Sequence, residues 1–138
     1  DDYVAKRPMN ENGSNDGGYD ESDLKKWIDT ELYKMFPEAF RKRMISLTIP
    51  TVGDIYGWGS EWDRTNFERD NHAQLPLMKQ RRNRVAYYNN DNARGWLRNA
   101  TKNGFSSDDF ATVNCLGETN YSGASNSCGV RPEFWLVR

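Results

Sequence analysis

The longest periodic pattern in this sequence is an amphipathic segment that begins at Ser22, a residue type that caps helix N-termini well. The apolar residues that follow have the three- and four-residue spacing of one buried helix face: Leu24, Trp27, Ile28, Leu32, Met35 and Phe36. Pro37 interrupts the pattern and opens a second short helix, in which we expect Phe40 and Met44 to face the core. The helices that we expect therefore lie in the first third of the chain.

The rest of the apolar residues occur in short runs that favour strands. Ile45, Leu47 and Ile49 alternate with polar residues, as in a half-buried strand. Further strands are expected within residues 82–87, 95–98, 110–116 and 129–138. Residues 9–20 are rich in Asn, Gly, Asp and Ser, so we expect a surface loop there. A chain of 138 residues is long enough for one compact domain, residues 1–138, and too short for two.

Charge and residue supply argue against several functional classes. The chain has 19 Lys and Arg against 20 Asp and Glu, whereas nucleic-acid binding depends on a strong positive field. No apolar run approaches the roughly 20 residues that cross a membrane, so we expect no membrane insertion. One histidine and two cysteines give little material for a zinc site or a histidine-based triad. We expect no cofactor, no catalytic residues, and an exposed His72 without a role.

Two features leave alternatives open. Acidic residues in two groups could supply oxygen ligands to a calcium ion, although the spacing is not that of an EF-hand: Glu61, Asp63, Glu68 and Asp70, and Asp108 with Asp109. Cys115 and Cys128 could form a disulfide if their Cα atoms lay within about 7 Å, or they could be two free thiols. Nine of the 14 asparagines fall within residues 81–130, and composition alone indicates a turn-rich region there.

Several segments of the sequence together resemble a family of bacterial and phage domains. The similar segments are SDLKKWIDTELY (22–33), LTIPTVGDIYG (47–57), QLPLMKQRRNRVAY (74–87), GWLRNAT (95–101), FATVN (110–114) and GVRPEFWL (129–136). The resemblance implies an α+β, C-type-lectin-like fold: two helices packed on a small twisted, mostly antiparallel sheet, with long ligand-display loops and a C-terminal strand paired to an early one. Family members usually carry further strand sequence before the segment that matches VAKRP (4–8), so this chain resembles either the C-terminal domain of a longer protein or a shortened member of the family.

Some members of this family resemble the variable proteins of diversity-generating retroelements, in which adenines of Asn codons are replaced. An Asn codon with both adenines randomised can become Tyr, Asp, Ser, Gly, Cys, Arg, Thr or Leu, and it cannot become Lys, Trp or Glu. The residues that such replacement permits include Tyr88, Asp91, Arg94, Leu116, Tyr121 and both cysteines. Trp96, Lys102 and Glu118 are then fixed positions, and the disulfide becomes a weaker alternative.

The resemblance implies a non-catalytic recognition domain on a virion or a bacterial cell surface, with a protein or a glycan as ligand. The expected contact surface is Tyr88, Asn89, Asn90, Asp91, Asn92, Arg94, Asn114, Cys115, Leu116, Thr119, Asn120 and Tyr121. The core expected beneath it is built from Trp27, Leu32, Trp96, Val130 and Phe134. Two other functions stay open: an oxidoreductase like the formylglycine-generating enzymes, which share this general fold, and a calcium-dependent sugar-binding lectin.

Overall fold

The structure, a computed structural model, describes residues 2–138, and residue 1 lies outside the described residues. The Oγ of Ser22 accepts a hydrogen bond from the backbone N of Lys25 at 3.0 Å and caps the first helical segment. This segment runs through α1 (Asp23–Trp27), a π-helical stretch (Ile28–Leu32) and a last turn, α2 (Tyr33–Met35). After Pro37 comes α3 (Glu38–Arg41). Both predicted helices are therefore confirmed.

Two more short helices follow in the middle of the chain, α4 (Val52–Tyr56) and α5 (Glu61–Asn66), so the prediction of two helices, both in the first third of the chain, is wrong in part. A capping box starts α4, because Thr51 and Asp54 each accept a hydrogen bond from the other's backbone N at 3.0 Å. Single 3₁₀ turns occupy Tyr19–Glu21, Pro76–Lys79 and Arg81–Asn83.

The central sheet has five strands in the order β1-β8-β5-β6-β7. Its strands are β1 (Ala5–Arg7), β5 (Gly95–Ala100), β6 (Asp109–Val113), β7 (Thr119–Gly123) and β8 (Cys128–Val130). Two ribbons of two strands complete the fold: β2 (Met44–Thr48) with β9 (Glu133–Leu136), and β3 (Ala86–Tyr88) with β4 (Asp91–Ala93). All pairs are antiparallel except β5 with β8. The prediction of an α+β fold with a mostly antiparallel sheet is confirmed.

The last strands of the chain pair with its first strands. In the central sheet, Val130 of β8 lies opposite Ala5 of β1. In the peripheral ribbon, Leu136 of β9 lies opposite Met44 of β2. Pro132 separates β8 from β9, and a residue without a backbone N–H favours such a switch between two sheets. These pairings connect the two ends of residues 2–138.

The core has three apolar clusters: the two larger ones lie on opposite faces of the central sheet, and a small one, Tyr3 with Ala86 and Ala93, packs against the β3–β4 ribbon. The larger cluster includes Leu32, Trp96 and Val130, which are buried as predicted. The two other predicted core residues are half-buried at its rim, with Trp27 under the Arg7 guanidinium at 4.5 Å and Phe134 in edge contact with a neighbouring ring. The second cluster contains Val52, Ile55, Phe67, Leu97, Ala111 and Val113.

The prediction of a surface loop at residues 9–20 is wrong in part. Met9, Asn15 and Tyr19 are buried. The side-chain amide of Asn15 lies within hydrogen-bonding distance of carbonyl oxygens of Ser106 and Asp109, at 3.2 and 3.0 Å. The segment is irregular because of its turn residues, yet its side chains reach into the core and hold the loop before β6.

Three apolar residues predicted to face the core are exposed. Met35 is 68% exposed, because the π-helical stretch before it has wider turns and rotates later residues away from the predicted face. Phe40 lies on the single turn of α3 at the periphery, and Ile45 lies on the outer face of the β2–β9 ribbon. Met44, by contrast, is partly buried.

Three predicted strands differ in the structure. The single strand predicted for 129–138 is two strands, β8 and β9, which lie in different sheets. The strand predicted for 82–87 begins only at Ala86, because Arg81–Asn83 forms a 3₁₀ turn. The strand predicted for 110–116 ends at Val113, where the chain turns towards β7.

Candidate ligand-binding surface

Eleven of the twelve predicted contact residues fall on two neighbouring connections of the fold, and the twelfth, Arg94, lies between β4 and β5. Residues 88–92 form the β3–β4 hairpin, and residues 114–121 form the β6–β7 turn and the start of β7. The Nδ2 of Asn92 donates a hydrogen bond to the backbone O of Cys115 at 3.4 Å. The structure therefore brings together the two segments that the sequence places more than twenty residues apart.

All twelve predicted contact residues reach solvent. Eight are exposed: Asn89, Asn90, Asp91, Asn92, Arg94, Cys115, Leu116 and Tyr121. Four are half-buried: Tyr88, Asn114, Thr119 and Asn120. Just beside them in sequence, Ala93, Gly95 and Val113 are buried. The exposed segments are therefore attached directly to the core strands.

Several of the asparagines have structural roles. Asn89 and Asn90 both have positive φ, 51° and 68°, as a two-residue type I′ hairpin requires, and Asn tolerates that conformation. The Oδ1 of Asn114 accepts hydrogen bonds from the backbone N atoms of Leu116 and Glu118, both at 2.9 Å. Asn114 therefore positions the β6–β7 turn more than it offers a contact group.

The contact residues of β7 lie on both faces of the sheet. Successive residues of a strand point to opposite faces, so Thr119 and Tyr121 share the face of their partners Val113 and Ala111. Asn120 points to the other face. The predicted surface consequently has two parts, one on each face of β7.

Tyr121 belongs to an aromatic patch with Trp62 and Phe105. Its ring centroid lies 4.9 Å from that of Phe105 and 6.2 Å from that of Trp62. The three side chains are 40, 38 and 46% exposed, in the order Tyr121, Phe105, Trp62. Phe67 is fully buried beneath Trp62. Sequence reasoning gave Phe105 no role, because its contacts depend on how α5 and β7 pack.

The other part of the surface contains a groove of about 410 Å³. Its lining residues are Lys6, Asn92, Ala93, Arg94, Cys115, Ser122, Asn126, Ser127 and Cys128. Of the predicted contact residues, Asn92, Arg94 and Cys115 meet here. Lys6 enters from β1, which local sequence reasoning could not indicate.

Both cysteines line this groove, and both are free thiols. Cys115 is exposed and Cys128 is buried. Burial raises the pKa of the Cys128 thiol, although a hydrogen bond with Ser122 and the charge of Arg94 act in the opposite direction. A thiol with a raised pKa is a poor nucleophile. Of the two alternatives that the sequence left open, the structure has free thiols.

His72 is not the isolated residue that the sequence suggested. Its side chain is partly exposed, but its Nδ1 shares a hydrogen bond of 2.8 Å with Oδ1 of the buried Asp54. Arg98 Nη2 lies 3.7 Å from carboxylate oxygens of both Asp54 and Glu133. This polar cluster connects α4, β5 and β9. Nothing near His72 in the sequence predicts it, because Asp54 is 18 residues away.

Asp70 forms a second polar connection in the same region. Burial alone would raise the pKa of its carboxyl, but hydrogen bonds from Asn99 and from the backbone N atoms of His72 and Gly53 lower it below its usual value. Asp70 is thus held as a carboxylate that links α4 to β5.

The Glu133 carboxyl makes stability depend on pH. Burial and the neighbouring Asp54 carboxyl raise the pKa of Glu133 from 4.5 to about 7, against the charge of Arg98. The folded protein therefore binds this proton more tightly than the unfolded chain does. The stabilisation is complete below pH 4.5 and is lost as the pH rises through 7.

We therefore expect Glu133→Gln to raise the free energy of unfolding at pH 8 by on the order of 1 kcal/mol, because solvent screens this partly exposed carboxyl. The variant and the wild type are compared by urea unfolding from pH 4.5 to pH 8, and the difference between them should grow as the pH rises through about 7. The exposed Glu31→Gln variant is the control, and its difference from wild type should be flat. A difference for Glu133→Gln that does not change with pH would contradict the assignment.

The acidic residues considered for calcium do not gather into a site. Within residues 2–138, no three His, Cys, Asp or Glu side chains form a group that could hold a metal ion. Asp63 is buried in α5, and Asp70 is occupied by the hydrogen bonds described above. In the same part of the chain, no helix has the length and apolar character needed to cross a bilayer.

The chain belongs to a protein family described as a domain of unknown function (DUF6273), whose pattern matches residues 1–138. No curated protein and no solved structure matches the chain. The family is therefore defined, and its function has to be argued from the surface itself.

Proposed function

We propose that this chain is a non-catalytic ligand-recognition domain with a C-type-lectin-like fold, which binds a protein or a glycan at a virion or bacterial cell surface. The β3–β4 hairpin and the β6–β7 turn form its contact surface. The observation that carries the proposal is that all twelve contact residues reach solvent, while β5 and β6, the strands to which their segments are attached, are mostly buried on both faces. A stiff support with exposed polar and aromatic side chains suits recognition.

The connections of the strands support the C-type-lectin-like fold. That fold requires a C-terminal strand paired with an early one, and here both β8 and β9 pair with early strands. The helices precede most of the sheet, and the hairpin and turn that carry the contact residues come after them. The order of elements agrees with the resemblance stated above.

The contacts of the three fixed positions support diversification by a retroelement. Trp96 is buried in the core. Lys102 Nζ donates to the backbone O of Arg64 at 3.0 Å, and Glu118 forms an ion pair of 3.4 Å with Arg81. Residues that cannot derive from Asn codons thus make scaffold contacts. Cys128 is a permitted product and lines the groove, but it is buried and is not one of the twelve proposed contact residues.

No observation favours either of the other two functions. An enzyme like the formylglycine-generating enzymes would need a reactive thiol, whereas burial raises the pKa of Cys128 and Cys115 lies on an open groove. A calcium-dependent lectin would need converging carboxylates, and the acidic residues considered above do not converge.

The proposal predicts that the contact surface tolerates substitution. In a display library, codons 91, 92, 94, 115, 116 and 121 are randomised to the set that an Asn codon can reach, and folding is scored by protease resistance. We expect more than about half of the members to fold, because exposed substitutions usually change stability by less than 0.5 kcal/mol each. A matched library at six buried positions (28, 55, 96, 97, 113 and 130) should give few folded members. Equal survival of the two libraries would contradict a rigid support with a tolerant surface.

Binding itself is tested with an array of glycans and bacterial surface proteins. We expect the wild-type domain to bind a subset of the array. A variant with serine at the six exposed positions 91, 92, 94, 115, 116 and 121 should lose the signal while it keeps its melting temperature. The control carries serine at six exposed positions elsewhere: Glu11, Asn12, Asp16, Lys26, Lys79 and Arg82. A serine variant that binds like the wild type would show that recognition occurs elsewhere.

A further inference from the structure

We propose that the groove between β4, the β6–β7 turn and the start of β8 binds the anionic group of an acidic glycan, a carboxylate or a sulfate. This inference rests on the proposed function and names the ligand class for one part of the same surface. It concerns the groove of about 410 Å³ described above.

The groove lies at the N-terminal ends of two parallel strands. In the parallel pairing of β5 with β8, Gly95 lies opposite Gly129. The residues just before these two glycines, Arg94 and Cys128, line the groove. Gly129 also lies opposite Lys6 of β1. Neighbouring strands are about 4.8 Å apart, so Lys6 and Arg94 are held on the two sides of β8.

The charges that line the groove have one sign. Lys6 and Arg94 are its charged lining residues, and no Asp or Glu lines it. Both side chains are exposed, and within the described part of the chain neither forms an ion pair. Two unpaired cations that share a concave site attract an anion, and an arginine fork matches the paired oxygens of a carboxylate or a sulfate.

The other lining groups suit the hydroxyl groups of a sugar. The amides of Asn92 and Asn126 and the hydroxyls of Ser122 and Ser127 supply donors and acceptors. Asn126 Nδ2 already donates to Ser122 Oγ at 3.1 Å, which orients that pair. A volume of about 410 Å³ falls within the range of small-molecule sites. An anionic group at the two cations and a sugar ring beside the amides would therefore find both charged and polar partners in the groove.

The preference for an acidic glycan depends on a residue that we expect to vary between relatives of this chain. Arg94 is one of the proposed variable residues, whereas Lys6 lies on β1, outside the variable segments. Relatives with another residue at position 94 would keep one cation and bind acidic glycans more weakly.

The test uses three ligands that share one sugar core: 3′-sialyllactose, lactose 3′-sulfate and neutral lactose. Binding is followed by ¹H–¹⁵N shift changes and by calorimetry at low salt. We expect both acidic ligands to bind at least about ten times more tightly than lactose, with shift changes at Asn92, Arg94 and Ser127. Raising the salt concentration should weaken the acidic ligands only. If 3′-sialyllactose binds more tightly, the preferred anionic group is a carboxylate; if lactose 3′-sulfate binds more tightly, it is a sulfate.

The double variant Lys6→Gln, Arg94→Gln should lose about tenfold or more in affinity for the acidic ligands and keep its melting temperature. The control Arg82→Gln removes an exposed cation outside the groove and should stay within about twofold of the wild type. Equal binding of all three ligands, or an unchanged affinity in the double variant, would overturn the inference. So would inorganic sulfate that binds as tightly as lactose 3′-sulfate, because the sugar would then contribute nothing. If the array of the previous subsection shows binding of neutral ligands while the acidic ligands do not bind, the proposed function stands and this inference is wrong.

Discussion

Replacing Trp96 with alanine is expected to lower the free energy of unfolding by about 3–5 kcal/mol, the usual cost of removing a buried tryptophan. The side chain is fully buried in the larger apolar cluster, with its ring 6.2 Å from that of Phe110. Its Nε1 also donates a hydrogen bond to the backbone O of Arg7 at 2.7 Å, which connects β5 to β1. The substitution therefore leaves both a cavity and an unpaired carbonyl in the larger apolar cluster.

Urea unfolding followed by far-UV circular dichroism measures this loss. The matched control is Trp62→Ala, because Trp62 is 46% exposed in the aromatic patch, and we expect it to cost less than about 1.5 kcal/mol. Trp96→Phe keeps most of the apolar volume and should fall between the two. A larger loss for Trp62→Ala than for Trp96→Ala would contradict the division into rigid core and exposed surface.

Replacing Asn15 with alanine is expected to cost about 2–3 kcal/mol, although Asn15 lies in a segment of turn-forming composition. Its buried Nδ2 lies 3.0–3.2 Å from four acceptors: Thr101 O, Thr101 Oγ1, Ser106 O and Asp109 O. Alanine removes the donor and leaves buried carbonyl groups without this partner. Asn15→Asp should cost more than Asn15→Ala, since a buried carboxylate would lie against the carbonyl oxygens of Thr101, Ser106 and Asp109.

The control for this prediction is Asn12→Ala in the same segment. Asn12 is exposed, and its Oδ1 accepts one hydrogen bond, from the backbone N of Ser14 at 2.9 Å. We expect a loss below about 1 kcal/mol in the same urea experiment. Equal losses at positions 12 and 15 would show that Asn15 does not hold the loop before β6.

Local patterns in the sequence predict the elements of this fold better than they predict its contacts. The helix cap at Ser22 and the break at Pro37 depend on neighbouring residues, so both are readable from the sequence. The outward direction of Met35 is not, because a π-helical stretch leaves no mark in the apolar spacing. The burial of Asn15 depends on partners more than 80 residues away, and composition cannot indicate such partners.

For the candidate surface too, the sequence predicts local features and does not predict contacts between distant residues. Exposure of the asparagine-rich segments follows from their composition, and the pair Asn89–Asn90 is readable as a hairpin turn. The groove and the aromatic patch are not readable, because they join Lys6 to Arg94 and Phe105 to Tyr121 through strand pairing and packing. Sequence reasoning predicted the segments of the proposed surface and did not predict that Lys6 and Phe105 lie beside them.

The most direct test of a recognition surface on a rigid support is deep sequencing of this gene, with its flanking DNA, across the natural population that carries it. The account predicts amino-acid variation concentrated at exposed positions such as Asn92, Cys115 and Tyr121, with Trp96 and Val113 unchanged. It also predicts a nearby copy of this segment that has adenines at the variable sites, beside a reverse-transcriptase gene. Uniform codons at the exposed positions, or variation as frequent at the buried ones, would contradict the account.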